Sequence, residues 1–139
     1  MKDAVSEVNP HKSQPKMKIS WEYYQHLVEK LSLMIPTGKY ANIAGIPRGG
    51  LIPAVMLSHK MNLPVIPIES ATDSTIIIDD ICDTGNTLAS NQYITMDGEP
   101  RIDVATLFLR KRSLHKPTYH AQELYGDEWL VFPYETTPV

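Results

Sequence analysis

From Ser20 onward, apolar residues recur at three- and four-residue steps. Trp21, Tyr24, Leu27, Val28, Leu31, Met34 and Ile35 fall on one face of a helix that Ser20 is placed to cap and that Pro36 and Gly38 end. Before it, residues 1 to 18 are polar, carry Pro10 and Pro15 and show no period. This predicts a loosely ordered arm ahead of a single domain over 19–139. After it, YANIAGI at 40–46 is a short apolar strand broken by PRGG. LIPAVMLSHKM at 51–61 is helical, with Pro53 tolerated near the first turn, and PVIPI at 64–68 is a further strand.

STIIID at 74–79 is β-branched without alternation, the pattern of a strand buried on both faces. TGNTLASNQY at 84–93 predicts a brief helix. IDVATLFLR at 102–110 and TYHAQEL at 118–124 predict two more strands, and EWLVFPYE brings aromatic residues together near the chain end. Strands alternating with helices predict an α/β domain with a mostly parallel central sheet flanked by helices. In such sheets ligands sit beyond the carboxyl ends of the strands, near a topological switch point. Two unusual loops, PRGG and DDICDTGNT, follow apolar strands and are expected on that edge.

Composition narrows the setting. The 139 residues, 42% of them hydrophobic, suit one core, and the net charge of −3 with interspersed signs gives no electrostatic footprint for nucleic acid or an anionic membrane. An anionic ligand would have to be held locally. Cys82 is the one cysteine, so no internal disulfide forms, and no apolar run approaches the roughly 18 residues of a membrane helix. A cytoplasmic enzyme or binding protein is expected. His11, His26, His59, His115 and His120 show no metal-ligand spacing.

The loops carry the chemistry. In DTGNT, Gly85 permits a tight backbone, a helix N-terminus offers unpaired N–H groups, and Thr84 and Thr87 add hydroxyls, so a phosphate finds donors without Lys or Arg. Alone, the stretch is equally an ordinary strand-to-helix turn. The acidic pair Asp79 and Asp80 shifts that balance, because adjacent carboxylates repel, are costly to desolvate and are not needed by a turn. Such carboxylates suit sugar hydroxyls, and Mg²⁺ completed by ligand phosphates. In PRGG, Gly49 and Gly50 allow close approach to a ligand, and Arg48 offers a planar fork for phosphate oxygens, although alone the stretch reads more simply as a Gly-rich turn with an exposed Arg. Two phosphate-competent loops with carboxylates between them suggest a ligand with phosphates at both ends of a sugar.

IIIDDICDTGNTL resembles the phosphoribosyl pyrophosphate motif of type I phosphoribosyltransferases, and IAGIPRGGLIPAVMLSHKMNLPV is similar to that family's pyrophosphate loop and following helix. DEWLVFPYE resembles the end of the xanthine-guanine branch, and the likeness spans about residues 20 to 135. The resemblance implies transfer of phosphoribosyl from phosphoribosyl pyrophosphate to guanine, xanthine or hypoxanthine, with Mg²⁺ held near Asp79 and Asp80 through water. It assigns ribose and phosphate to Asp79, Asp80, Thr84, Gly85, Asn86 and Thr87, and pyrophosphate to Arg48 and Gly49. Asp83 would take the purine proton, a role favoured by its acidic neighbours, while Trp129 and Leu130 would contact the base. The contact to the purine 6-oxo group falls to Arg110 or Lys111, of which strand alternation lets only one face the site. A cis peptide before Arg48 and a homo-oligomer are further implications.

One departure stands out. Relatives carry a long mobile loop before the acidic strand, whereas here only ESATDS at 69–74 is available, too short for a comparable lid. A non-catalytic nucleotide or phosphoribosyl pyrophosphate sensor on the same fold is the alternative, and transfer to a pyrimidine or other acceptor a third reading.

Overall fold

In the computed structural model of the chain, residues 15–84 and 101–135 are described. Helix α1 (Trp21–Met34) begins where Ser20 accepts a hydrogen bond from the Tyr23 amide at 3.0 Å, and it ends at Ile35, ahead of Pro36 and of Gly38 at φ 82°. Its buried face is Tyr24, Leu27, Val28 and Leu31. Trp21 and Met34, expected on that face, are exposed at 46% and 41%. They stand at the two ends of the helix, where the apolar stripe runs past the core beneath it.

A four-stranded sheet carries the domain, in the order β2 (Asn42–Gly45), β3 (Thr75–Cys82), β4 (Val104–Arg110), β5 (Tyr119–Leu124), all parallel. Helix α2 spans Leu51–Met61, the stretch its sequence predicts. It packs with α1 over Ile43, Ile76, Ile78 and Leu107, while Ala44, Ile77, Val104 and Leu109 form a second, smaller cluster. Every residue of β4 is buried, as an unalternating apolar run requires. The expected helix over 84–93 lies almost wholly outside the described residues.

Two expectations are corrected. PVIPI makes a single parallel bridge, Ile43 to Val65, before a 3-10 turn at Ile68–Ser70, because Pro64 and Pro67 have no N–H to extend a ladder. Residues 16–18, placed in the arm by sequence, form strand β1 (Lys16–Lys18), paired in parallel with β6 (Trp129–Val131).

The site follows from a mismatch of strand lengths. The chain leaves β2, bridges its outer side at Val65 and returns to its inner side as β3, which makes a switch point between β2 and β3. Gly45 pairs with Ile78 and β2 stops there, whereas β3 continues to Cys82 against β4. The notch above the end of β2 is filled by the PRGG turn. The Ile46 amide donates to the Ile78 carbonyl, and a Cβ on Gly50 would overlap the Ile78 carbonyl oxygen. Only glycine allows so close a pass.

Candidate active site

At the carboxyl ends of the strands a cavity of about 760 Å³ is lined by Arg48, Gly49, Ile52, Asp80, Ile81, Asp83, Arg110, Trp129, Leu130, Phe132, Tyr134 and Glu135. Seven residues singled out in the sequence thus converge on one space, although they come from the PRGG turn, β3 and the residue after it, β4 and β6. The Pro47–Arg48 peptide is cis.

Asp79 and Asp80 lie within β3 rather than beyond it. Asp80 reaches the cavity. Its Oδ1 accepts the Ile81 amide at 2.8 Å and its Oδ2 accepts the Tyr134 hydroxyl at 3.0 Å. A Cβ on Gly49 would overlap the Asp80 carboxylate, so the PRGG backbone rests directly on that group. Asp79 is not among the lining residues; its Oδ1 accepts the Asp80 amide at 2.9 Å. Burial, and after it the Asp80 charge, push Asp79 up to about 8. Burial and the Asp80 charge also raise the Tyr134 hydroxyl far above the ordinary phenol range.

Asp83 sits among cations. Its Oδ1 accepts Arg110 Nε at 2.9 Å and lies 3.4 Å from Arg112 Nη2. Arg110 is buried, and its Nη1 and Nη2 each donate at 2.9 Å, to the carbonyls of Gly126 and Glu128. Arg112 also holds Asp127, at 2.7 Å. Of the two candidates at the end of β4, Arg110 faces the cavity. Lys111 lies outside it, 54% exposed and 3.7 Å from Glu123 on the neighbouring strand, as alternation along a strand dictates. Trp129 and Leu130 arrive on β6, Leu130 buried in the core and Trp129 37% exposed.

Thr84 is described at the edge of the site, its carbonyl accepting the Leu114 amide at 3.1 Å. Gly85, Asn86 and Thr87 lie outside the described residues. The 69–74 connection is the end of the 3-10 turn followed by bonds from the Thr72 amide to Thr75 and the Ser74 amide to Thr72.

Sequence reasoning missed Tyr134, Phe132 and Arg112. Phe132 and Tyr134 stack with their planes 4° apart and their centroids 5.6 Å apart, and Tyr134 also meets Trp21 at 6.3 Å. The alternating aromatics of FPY were the available signal. The partner of Tyr134, Asp80, is 54 positions away.

Among the described residues no group of three or more His, Cys, Asp or Glu could hold a metal by itself, and no helix is long and apolar enough to cross a membrane.

No family model matches the chain. It is 23% identical to a xanthine-guanine phosphoribosyltransferase of Idiomarina loihiensis, with 84% of this chain and 85% of that protein covered. The crystal structure of a purine phosphoribosyltransferase from Pyrococcus horikoshii superposes with a TM-score of 0.73 at 27% identity, covering 91% of this chain and 98% of that one. A Helicobacter pylori xanthine-guanine-hypoxanthine phosphoribosyltransferase gives a TM-score of 0.68 at 18% identity, covering 84% and 92%.

Proposed function

We propose that this chain, a relative in sequence and fold of the type I phosphoribosyltransferases on their xanthine-guanine branch, transfers the phosphoribosyl group of phosphoribosyl pyrophosphate to a 6-oxopurine. The products are a purine nucleoside monophosphate and pyrophosphate. One observation carries the reading: a single cavity is lined both by Arg48, Gly49 and Asp80 and by Asp83, Trp129 and Leu130. The first set suits a phosphorylated sugar and the second a flat heterocycle with a proton to give up.

Asp80 accepts from sugar hydroxyls, with Asp79 behind it. Arg48 and the Gly49 backbone hold the pyrophosphate, and residues 84–87 the 5′-phosphate. As the C1′–oxygen bond to pyrophosphate breaks and the C1′–nitrogen bond to the base forms, positive charge develops on the sugar. Fixed carboxylates beside it stabilise that charge, and positioning supplies much of the rest. Asp83 accepts the proton the purine releases. Trp129 stacks on the ring.

The acidic pair fits Mg²⁺. The ion usually takes one or two carboxylates and completes its shell with phosphate oxygens and water, and a cation would relieve the Asp80 repulsion that, after burial, pushes Asp79 up to about 8. When bound, Mg²⁺ neutralises charge on the departing pyrophosphate.

The test is pyrophosphate release from phosphoribosyl pyrophosphate and Mg²⁺ with guanine, xanthine, hypoxanthine, adenine, uracil and orotate supplied singly. Release with at least one 6-oxopurine, well above the rate without base, is expected. Tight binding of phosphoribosyl pyrophosphate with no transfer to any base would make the protein a sensor.

A further inference from the structure

Arg110 lies at the end of β4 with its side chain only 5% exposed, yet its guanidinium joins three separate segments. Nε donates to the Asp83 carboxylate, Nη1 to the Gly126 carbonyl and Nη2 to the Glu128 carbonyl, each at 2.9 Å. Every nitrogen of the group has an acceptor in the protein. Two of the three acceptors are backbone carbonyls in the loop that runs directly into Trp129, the first residue of β6. A buried charge satisfied in this way is costly to disturb, because removing any partner leaves the cation desolvated and uncompensated. Arg112 adds a weaker strap from Asp83 to Asp127. It is 56% exposed, so solvent screens it.

We propose that Arg110 is a positioning residue: it locks Asp83 to the 126–128 loop, so that the proton acceptor and the Trp129 face are held at a fixed separation. The proposal rests on the transfer reading above for what that separation serves. It reassigns Arg110, which the resemblance offered as a direct contact to the purine oxygen. A direct contact needs one donor, and lysine would provide it. A three-way lock needs a planar fork, which a lysine ammonium cannot reproduce.

The two roles part in Arg110→Lys. The expected result is faster hydrogen exchange at the amides of residues 126–130, by at least about tenfold. For the base, kcat/KM should fall about 100-fold, as a misplaced acceptor and stacking face imply, while affinity for phosphoribosyl pyrophosphate stays within about twofold. A lesion that merely loosened the fold would weaken both substrates together. Wild-type exchange rates and an unchanged KM for the base in Arg110→Lys would overturn the proposal. The exchange measurement needs no turnover, so a protein that transfers to no base still decides the lock. Should the variant not fold, nitrogen-15 spectra of the wild-type Arg110 side chain decide it. The Nε proton should exchange slowly, with shifts that barely move when guanine is added; a rapidly exchanging proton or a large shift on adding guanine would refute the lock.

Discussion

On the β3 side of the cavity, Asp80 and the Arg48–Gly50 turn are fixed by backbone. A parallel ladder runs through Asp79, and glycines pass so close that a Cβ would overlap a carbonyl or a carboxylate. On the β6 side, Asp83 is held by side chains, a buried guanidinium and an exposed second arginine, and Trp129 and Leu130 lie on a three-residue strand paired, among the described residues, with β1. Backbone walls are stiff and tolerate little change. Side-chain walls depend on a few groups such as Arg110, costly to disturb but changeable by single substitution while the sheet stays in place. On the proposed reading, a rigid sugar half and an adjustable base half would suit one donor and several related acceptors.

The largest effect should come from the acceptor on the adjustable side. Asp83→Asn is expected to lower turnover by roughly 10²- to 10⁴-fold and leave affinity for phosphoribosyl pyrophosphate within about twofold, read by steady-state kinetics and titration calorimetry. Unchanged turnover would remove Asp83 from the chemistry.

Glycine substitutions compare the two walls directly. Gly49→Ala drives a methyl into the Asp80 carboxylate, and overpacking of this kind costs about 1–3 kcal/mol. The expected readout is phosphoribosyl pyrophosphate affinity reduced roughly 10- to 100-fold. Gly126→Ala meets Glu128 Oε1 at 2.8 Å, the far end of a flexible side chain. Its stability should remain within about 0.5 kcal/mol of wild type in chemical denaturation. Equal effects from the two variants would erase the distinction between the walls.

Asp79 adds a pH signature on the rigid side. Its folded-state pKa, about 8, lies above its ordinary value of 3.8, so between those values the folded state holds a proton that the unfolded chain has lost. Stability from this group is therefore full below about pH 4 and is lost as pH rises toward 8. Asp79→Asn cannot ionise. The variant should melt close to wild type near pH 4 and a few degrees higher at pH 9 without ligand. A melting difference that does not grow with pH would contradict the assignment. The smallest effect is expected at Lys111→Ala, where an exposed partner of Glu123 outside the cavity is lost. Turnover should stay within about twofold.

What the sequence revealed follows the same division. The rigid half was legible because its parts are contiguous: the α2 boundaries, the Ser20 cap and the placement of PRGG and the acidic pair at one sheet edge all follow from local period and turn chemistry. The extra length of β3 was not, because it depends on Ile81 and Cys82 finding Phe108 and Leu109 on β4. On the adjustable half, the choice between Arg110 and Lys111 needed the phase of β4. The partners of Asp83 stand 27 and 29 positions away and that of Tyr134 stands 54 away. No local pattern encodes such pairings, and side-chain hydrogen bonds across the fold decide them.

The division of the cavity into a sugar half and a base half is tested most directly by titrating guanosine 5′-monophosphate and ribose 5-phosphate, with Mg²⁺, into wild type, Trp129→Ala and Asp80→Asn. Trp129→Ala should weaken the nucleotide by about 1–3 kcal/mol, the worth of one base stacked on an aromatic ring, and leave ribose 5-phosphate within about twofold. Asp80→Asn should weaken both. If Trp129→Ala weakens the two ligands equally, or wild type binds neither, the cavity is not the two-part site described above.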